Sequence, residues 1–165
     1  MAQMVSFDNA PIRITSWGEW IQGEEPLHPR VVELFSQHLV PTMDGRYFIQ
    51  LGFQRYELIV DDTAYFVVSL DVEKSDDGTL TGIRIKSSDG KTETLRPDSL
   101  MQSREDNAFY CRIIRRELGV PCRFPPGIYH TLGLEMEQDA EGVYLEVNGE
   151  RYRVADYDSS PVPMA

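Results

Sequence analysis

The chain is poor in the residues on which several specialised protein classes depend. Its 165 residues include two cysteines, three histidines and three lysines. Two cysteines are too few for a disulfide scaffold, and His28, His38 and His130 lie in no spacing typical of a metal site. Phosphate-binding loops and nucleophile elbows are absent from the sequence as well. We therefore expect no cofactor and no metal, and the sequence favours a protein that is not an enzyme.

Positive charge and long apolar runs are scarce too. Twenty-seven acidic residues against sixteen basic ones give a net charge of -11, which repels a nucleic-acid backbone or an anionic membrane. No run approaches the roughly 18 apolar residues of a membrane span. The opening stretch MAQMVSFDNAP also lacks the charged and apolar regions of a signal peptide. We expect a cytoplasmic protein with neither nucleic acid nor membrane as a partner.

What the chain does contain is enough apolar material for a packed core. Apolar residues make up 41% of it and aromatic residues 10%, which is typical of a globular protein. Since domains commonly hold roughly 100 to 150 residues, this length fits one domain or two small subdomains that share a core.

Two segments have the pattern of a proline-led amphipathic helix with strand patterns on both sides. The first helix is predicted over about residues 29–40 and the second over about 126–136, because apolar residues recur there at helical spacing behind a proline at the first position. The order strand, strand, helix, strand, strand therefore occurs twice. These patterns predict an α+β fold.

The two units also align with each other. A shift of 97 positions superposes Pro29 on Pro126 and Tyr47 on Tyr144, and one residue is then lost further on, so that Arg55 meets Arg151. The agreement of apolar positions through helix and strand indicates an internal duplication. The alternative is coincidence between two similar helix-turn-strand units.

Residues 64–96 are predicted to form a three-stranded antiparallel meander that joins the two units. Asp-Gly pairs at 77–78 and 89–90 are strong hairpin-turn signals. If each turn has two residues, the facing pairs are Asp71 with Arg84, Leu70 with Ile85, Val72 with Ile83, and Lys86 with Glu93.

The two cysteines are predicted to face each other across a hairpin. A turn centred on Arg116 and Glu117 places Cys111 opposite Cys122, at a separation that a disulfide accepts. Because a cytoplasmic chain lives among reducing thiols, we expect a facing but reduced pair.

These patterns divide the chain into four ranges. They are a mobile N-terminus (1–10), a first repeat subdomain (11–62), the meander with the second repeat subdomain (63–157), and a mobile tail (158–165).

Short motifs spread over residues 11–155 resemble an uncharacterised bacterial family, domain of unknown function 1285. The motifs are a Gly-Trp-bearing hairpin with Trp20, a helix led by Pro29 with Leu34 and Phe35, Asp44-Gly45 with Tyr47, and Val60 and Asp62 before Phe66. The chain departs from the family pattern at Gln54-Arg55, where a Glu-Lys pair is expected. The resemblance implies a duplicated two-subdomain core whose second half is like a pleckstrin-homology fold. It also implies an interface pocket for a nucleotide-like ligand and a role in signal transduction.

Six residues are candidates for the wall of such a pocket. Aromatic rings can stack on a ligand, and arginine forks can hold an anion. The candidates are Trp17, Trp20, Tyr47, Arg55, Tyr144 and Arg151. The alternative for the rings is core packing, and for the arginines a surface salt bridge.

Two further groups of charged residues stand out in the sequence. The most basic stretch contains Arg112, Arg115, Arg116 and Arg123, and we expect one or more of these, or the repeated Arg55 and Arg151, to face the cleft between the units. The acidic pairs Asp61-Asp62 and Asp156 with Asp158 could supply paired carboxylates for acid-base chemistry or a cation, although adjacent acids at a strand end are typically a solvated edge.

The sequence thus favours a non-catalytic ligand-sensing or signalling module with a small-molecule pocket between its two subdomains. The alternative is a protein-protein interaction module that binds no small molecule and uses an exposed sheet edge or aromatic patch.

Overall fold

The computed structural model of the protein describes residues 10–164. In the first part of the chain the elements are β1 (Ile12–Ile14), β2 (Trp20–Gln22), β3 (Glu25–Pro26), α1 (Pro29–Ser36), β4 (Leu39–Pro41), β5 (Tyr47–Leu51), β6 (Gln54–Glu57) and β7 (Ile59–Val60). The meander follows as β8 (Tyr65–Lys74), β9 (Leu80–Ser87) and β10 (Thr92–Thr94). After a 3₁₀ turn (Pro97–Ser99) come β11 (Met101–Gln102), β12 (Phe109–Arg115), β13 (Leu118–Arg123), α2 (Pro126–Gly133), β14 (Met136–Asp139), β15 (Gly142–Val147), β16 (Glu150–Arg153), β17 (Ala155–Asp156) and β18 (Val162–Pro163).

Both helices begin at the predicted proline and end earlier than predicted. A proline is tolerated at the first helical position because its missing N–H would have no partner there. The residues after each helix form β4 and β14 instead of a last helical turn, since they pair with β5 and β15. Each helix spans eight residues, and no helix within residues 10–164 is long and apolar enough to cross a membrane.

The largest sheet has eight strands and carries the meander. Its order is β10-β9-β8-β13-β12-β11-β17, and β18 pairs with β13 beside that path. Strand β13 runs parallel to β8 and antiparallel to β12, so it connects the meander to the second half of the chain. The fold is therefore α+β and dominated by mixed sheet, as the sequence patterns predict.

Three smaller sheets complete the architecture. Sheet β3-β2-β1-β7 comes from the first part of the chain, and sheets β4-β5-β6 and β14-β15-β16 each follow one of the helices. We predicted a two-stranded ribbon after each helix. The third strand in each case begins at a residue that was assigned to the end of the helix, Leu39 in β4 and Met136 in β14.

The strand register corrects the alignment of the two units. Leu39 pairs with Ile49, and Met136 pairs with Leu145, so the second unit loses its residue in the loop before β15 and not after it. When the two units are aligned by this register, Tyr144 therefore corresponds to Phe48 and not to Tyr47. The prediction that the two tyrosines correspond is wrong by one position, because the segment between the paired residues Leu39 and Ile49 is one residue longer than the segment between Met136 and Leu145.

The meander has the predicted register on one side and a shifted register on the other. Asp71 pairs with Arg84 as predicted. Lys86, however, pairs with Thr92 and not with Glu93. The turn at residues 88–90 holds three residues between its closing pair, because the N–H of Ser87 donates to the carbonyl of Lys91.

The hairpin β12-β13 has the predicted register, and Cys111 lies opposite Cys122. Both cysteines are buried. The prediction that they face each other is confirmed, and the prediction that the pair is reduced stays a prediction. Arg116 and Glu117 form the turn with positive φ angles of 52° and 64°, which shows that a tight primed turn forms here without glycine.

The segment predicted to be a mobile tail is held against β13. We call residues 158–164 the C-terminal strap. The Arg112 guanidinium donates to the carbonyl oxygens of Asp158 and Ser160 at 2.8 and 2.9 Å, and β18 pairs with the start of β13. Main-chain contacts of this kind leave no periodic pattern in the sequence. The predicted mobile N-terminus lies outside the described residues except for Ala10.

One continuous apolar core joins both halves of the chain. Ile14 and Ile49 from the first part pack in the same cluster as Val67, Val120 and Leu145. Such a core fixes the small sheets against the large one and so positions the loops at their ends.

Candidate functional site

Four loops of one type shape the surface near the candidate site. They are Thr15–Glu19, Thr42–Arg46, Ser75–Thr79 and Ser87–Lys91. In each, a glycine at the fourth position has a positive φ, between 86° and 89°, and its N–H donates to the carbonyl of the first residue at 2.9 to 3.0 Å. Glycine adopts this conformation without steric cost.

Trp17 holds the third position of its loop, where the other three loops have an aspartate. Asp44, Asp77 and Asp89 occupy that position in three loops and accept a hydrogen bond from the hydroxyl of the first residue. Trp17 stands there in the first loop and has no group that could do the same. Its side chain is 66% exposed, which is unusual for so large an aromatic residue.

Trp17 lies at the rim of a cleft of about 610 Å³, which we call the Asp62 cleft. The cleft forms where several strands end. Strand β7 runs parallel to β1, so the loop after β1 with Trp17 lies beside the loop after β7 with Asp62. Strand β17 runs parallel to β11, which places Tyr157 beside the loop that follows β11. Arg123, the last residue of β13, closes the floor.

Asp62 is the centre of the cleft wall. Its carboxylate accepts hydrogen bonds from the hydroxyls of Tyr110 and Tyr157 at 2.6 and 2.9 Å, and from the Arg123 guanidinium at 3.0 Å. The two tyrosine rings stack in parallel with centroids 3.7 Å apart and an interplanar angle of 4°. Three different segments of the chain are thereby fixed to one carboxylate.

Arg123 links this group to the opposite rim. It is 7% exposed, and its second terminal nitrogen donates to Asp106 at 2.9 Å. The guanidinium also lies 5.7 Å from the centre of the Trp17 ring and 5.6 Å from that of Tyr110, within the range of cation–π contacts. The charge of Arg123 is therefore compensated on both sides.

The protonation states of the cleft wall follow from these contacts. Burial raises the pKa of the Tyr110 and Tyr157 hydroxyls, and the neighbouring Asp62 carboxylate raises it further. Burial alone would lower the pKa of Arg123, but hydrogen bonds with Asp62 and Asp106 outweigh it and raise the pKa. Both tyrosines thus stay neutral donors and Arg123 stays charged at physiological pH.

Negative charge predominates among the side chains that line the cleft. Within residues 10–164, five carboxylates line it against two guanidinium groups: Asp61, Asp62, Glu105, Asp106 and Asp156, with Arg104 and Arg123. Arg104 donates to both oxygens of Asp156 at 2.8 and 3.1 Å, so its charge is paired as well. Asp61 pairs with Arg13. Among the described residues, no group of three or more histidine, cysteine and acidic side chains is arranged to hold a metal ion.

A smaller depression of about 300 Å³ adjoins the cleft, and we call it the Tyr129 depression. It shares Trp17, Asp106 and Arg123 with the cleft and is otherwise lined largely by apolar groups, among them Phe124 and Tyr129. The Trp17 side chain borders both cavities, so together they form one groove with an acidic part and an apolar part.

The structure does not bring the six predicted site residues together. Of the six, Trp17 lines the Asp62 cleft. Trp20 is buried in the core against Phe35, with ring centres 6.4 Å apart, and Tyr47 is buried against Tyr65 at 6.1 Å. Core packing is what the alternative interpretation of these two rings predicted.

The other three predicted residues lie on the two small hairpin sheets. Arg55 donates to the Gln50 side chain across β5 and β6 at 2.9 Å. Arg151 lies 4.6 Å from the centre of the Tyr144 ring and pairs with Glu146 at 3.6 Å. These arginines pair with neighbours on their own hairpins and do not line the cleft.

Several residues of the cleft could be found only in part from the sequence. Arg123 belongs to the basic stretch, of which one or more members, or else Arg55 and Arg151, were expected at the cleft. Asp62 belongs to an acid pair that was noted at a strand end. Nothing in the sequence indicated Tyr110 or Tyr157. Their rings meet because the two-residue strand β11 pairs with β12 and with the distant two-residue strand β17.

Comparison with known proteins identifies relatives of the fold. No protein-family model matches the chain, and neither does a curated protein. A DUF1285 family protein from Silicibacter pomeroyi DSS-3 has a similar structure, with a TM-score of 0.70 over 89% of this chain and 80% of that one, at 17% identity. A DUF1285 family protein from Shewanella baltica OS155 has a TM-score of 0.58 over 79% of this chain and 95% of that one, at 18% identity. The resemblance predicted from the sequence motifs is thus confirmed at the level of the fold.

Proposed function

We propose that the protein is a non-catalytic, cytoplasmic ligand-sensing or signalling module, and that the Asp62 cleft is its small-molecule site. The observation that carries the proposal is the construction of this cleft. Its rim residue Trp17 comes from the range predicted as the first subdomain, and Arg123 and Tyr157 come from the range predicted as the second. Small-molecule sites occur preferentially where such units meet.

The wall of the cleft has the rigidity that a binding site requires. Asp62 ties Tyr110, Tyr157 and Arg123 into one hydrogen-bonded group, and buried groups whose hydrogen bonds are all satisfied hold a unique geometry. A preformed wall lowers the entropic cost of binding. Trp17 adds an exposed ring at the mouth on which a planar ligand can stack.

A signalling role fits a site that connects distant segments of the chain. Tyr157 immediately precedes the C-terminal strap, so a ligand bound against the cleft wall would lie beside the start of the strap and hold it in place. The stabilised strap would be the signal that a partner protein reads. This is the way in which the ligand-sensing function and the alternative of a protein-interaction module can be combined.

We also infer that the two helix-led units arose by internal duplication. In support, each proline-led helix of eight residues is followed by a three-stranded antiparallel sheet, and Gln50 pairs with Arg55 as Glu146 pairs with Arg151. A second half with a pleckstrin-homology-like fold is part of the same proposal. Comparison of the two units in an experimental structure, with Phe48 aligned to Tyr144, tests it.

A screen by isothermal titration calorimetry tests the ligand-sensing function. The wild-type protein is titrated with nucleotides, amino acids and organic amines, and we expect at least one class to bind with micromolar affinity. The variant Trp17→Ala should abolish or strongly weaken that binding.

Phe53→Ala is the matched control. Phe53 is also an exposed aromatic side chain at a hairpin tip, but it does not line the cleft, so its loss should leave the affinity unchanged. Absence of binding by every class, or equal loss in both variants, would contradict a small-molecule site in the cleft.

A further inference from the structure

The charge and shape of the groove indicate which class of ligand it takes. We propose that the groove formed by the Asp62 cleft and the Tyr129 depression binds an organic cation, an ammonium or guanidinium group attached to an aromatic or apolar body. This inference rests on the proposed function and adds the chemistry of the ligand.

The first argument is that the cations of the cleft are already paired. Arg123 is held between Asp62 and Asp106, and Arg104 is held by Asp156. The Arg104–Asp156 pair is largely exposed and therefore weak. At Arg123, a phosphate or carboxylate ligand would have to displace a carboxylate from a largely buried guanidinium. At either arginine it would lie among the remaining acids, and both effects are unfavourable.

The second argument is that negative charge remains available at the rim. Glu105 is exposed and makes no ion pair within residues 10–164, although it lines the cleft. The Asp106 side chain is 49% exposed beside its contact with Arg123. These carboxylates can accept hydrogen bonds from an ammonium or guanidinium group of a ligand.

The third argument is the position of the apolar surface. Trp17 borders both the acidic cleft and the Tyr129 depression, and its exposed ring can hold either an aromatic body by stacking or a cation by its π face. Pro126 and Tyr129 line the depression and offer apolar contact to the body of a ligand. A ligand with a cationic head and an apolar body would use both parts of the groove at once, and a bare metal ion would use neither the ring nor the depression.

The experiment compares three ligands that share a phenyl body and differ in charge. By calorimetry, 2-phenylethylamine should bind the full-length protein at least tenfold more tightly than neutral 2-phenylethanol or anionic 3-phenylpropionate. Its affinity should fall as sodium chloride is raised from 0.05 to 0.5 M, because salt screens the attraction. Equal affinity for the three ligands would overturn the inference.

Paired variants localise the effect. Glu105→Gln should weaken the binding of 2-phenylethylamine by about three- to tenfold, the loss expected for one nearby charge in a partly hydrated cleft. Glu33→Gln removes the same charge from the exposed side of α1 and should change nothing. Equal effects of the two substitutions would show that only the net charge of the protein matters and would contradict a site at the rim.

The outcomes separate this inference from the proposed function on which it rests. Binding of a nucleotide or of 3-phenylpropionate that depends on Trp17 would overturn the cationic ligand and leave the small-molecule site standing. Failure of every compound, the nucleotides included, would contradict both. A capped Phe-Arg dipeptide is the last ligand to be titrated. If it binds far more tightly than 2-phenylethylamine, the cation comes from a polypeptide and not from a free small molecule.

Discussion

The aspartates at the third position of three similar loops allow one buried ion pair to be tested against matched controls. Asp89 pairs with Arg115 at 2.6 Å, and their side chains are 6% and 7% exposed. Asp44 and Asp77 hold the same loop position in solvent. Asp89→Asn should therefore destabilise the protein strongly, and the same change at Asp44 or Asp77 should have little effect.

The size of the expected destabilisation depends on which hydrogen-bond partners Arg115 retains when Asp89 is replaced. Removal of one partner of a buried pair costs about 3–5 kcal/mol, because the other charge is left uncompensated. Here the guanidinium retains Glu93 at 2.9 Å and Ser87 at 2.8 Å. We expect a loss of about 2–4 kcal/mol in the free energy of unfolding, and about 2–4 °C of melting temperature for each kcal/mol in a domain of this size.

The pH dependence of this loss provides a second measurement. Burial alone would raise the pKa of Asp89, but hydrogen bonds from Arg115 and Ser87 outweigh it and hold the pKa below its usual range. An acid with a lowered folded-state pKa contributes stability above its unfolded pKa of about 3.9 and loses it as the pH falls through the folded value. The difference between wild type and Asp89→Asn should be constant from pH 5 to 7 and shrink below about pH 4.

Urea unfolding followed by circular dichroism measures both effects. The double variant Asp89→Asn with Arg115→Met should regain part of the stability that Asp89→Asn loses, since it removes the unpaired charge. Strictly additive losses in the double variant, or equal losses for Asp89→Asn and Asp44→Asn, would refute the reasoning.

Three further predictions concern other parts of the molecule. Cys111 and Cys122 should resist modification by a maleimide in the folded protein, because both are buried and burial raises the pKa of the Cys122 thiol. Unfolding without reductant should expose two free thiols per chain. Arg112→Ala should speed amide hydrogen exchange in the C-terminal strap, because it removes the hydrogen bonds to the strap carbonyls. Mass spectrometry detects this exchange, and an unchanged rate would show that β18 alone holds the strap. Trp20→Ala should cost about 3–5 kcal/mol of unfolding free energy as a large-to-small core change, whereas Trp17→Ala should leave the urea midpoint nearly unchanged.

Local patterns predicted those parts of the fold that local contacts determine. The pairing of Cys111 with Cys122 follows from one hairpin whose turn lies between two apolar runs, and the structure confirms it. The proline-led helices were found for the same reason. Their ends were misplaced because helix and strand compete for the same apolar residues, and pairing with β5 and β15 decides the outcome.

At the first Asp-Gly turn, the correct strand register was predicted from an incorrect turn length. Asp71 pairs with Arg84 as a two-residue turn at 77–78 predicts, yet that loop closes between Ser75 and Thr79. An irregularity between Glu73 and Lys74 restores the register. The turn at 88–90 has the same form without such an irregularity, so its strand is shifted by one residue.

The candidate site was the least predictable part because distant segments build it. Asp62, Tyr110 and Tyr157 meet through strand pairs of only two residues, and a two-residue strand has no detectable alternation. Sequence analysis therefore placed the site on repeated aromatic and arginine residues, most of which pack in the core or pair on their own hairpins. Trp17, proposed as a ring on which a ligand can stack, is the exception and lines the cleft.

The central claim, that the Asp62 cleft is a ligand site for an organic cation, is tested most directly by fluorine NMR of the protein labelled with 5-fluorotryptophan. The chain has two tryptophans, of which Trp17 borders the cleft and Trp20 lies in the core, so the second resonance is an internal control. Titration with 2-phenylethylamine should move the Trp17 resonance in a saturable manner and leave the Trp20 resonance in place. A Trp17 resonance that stays unchanged at saturating amine, or equal shifts of both resonances, would contradict the account.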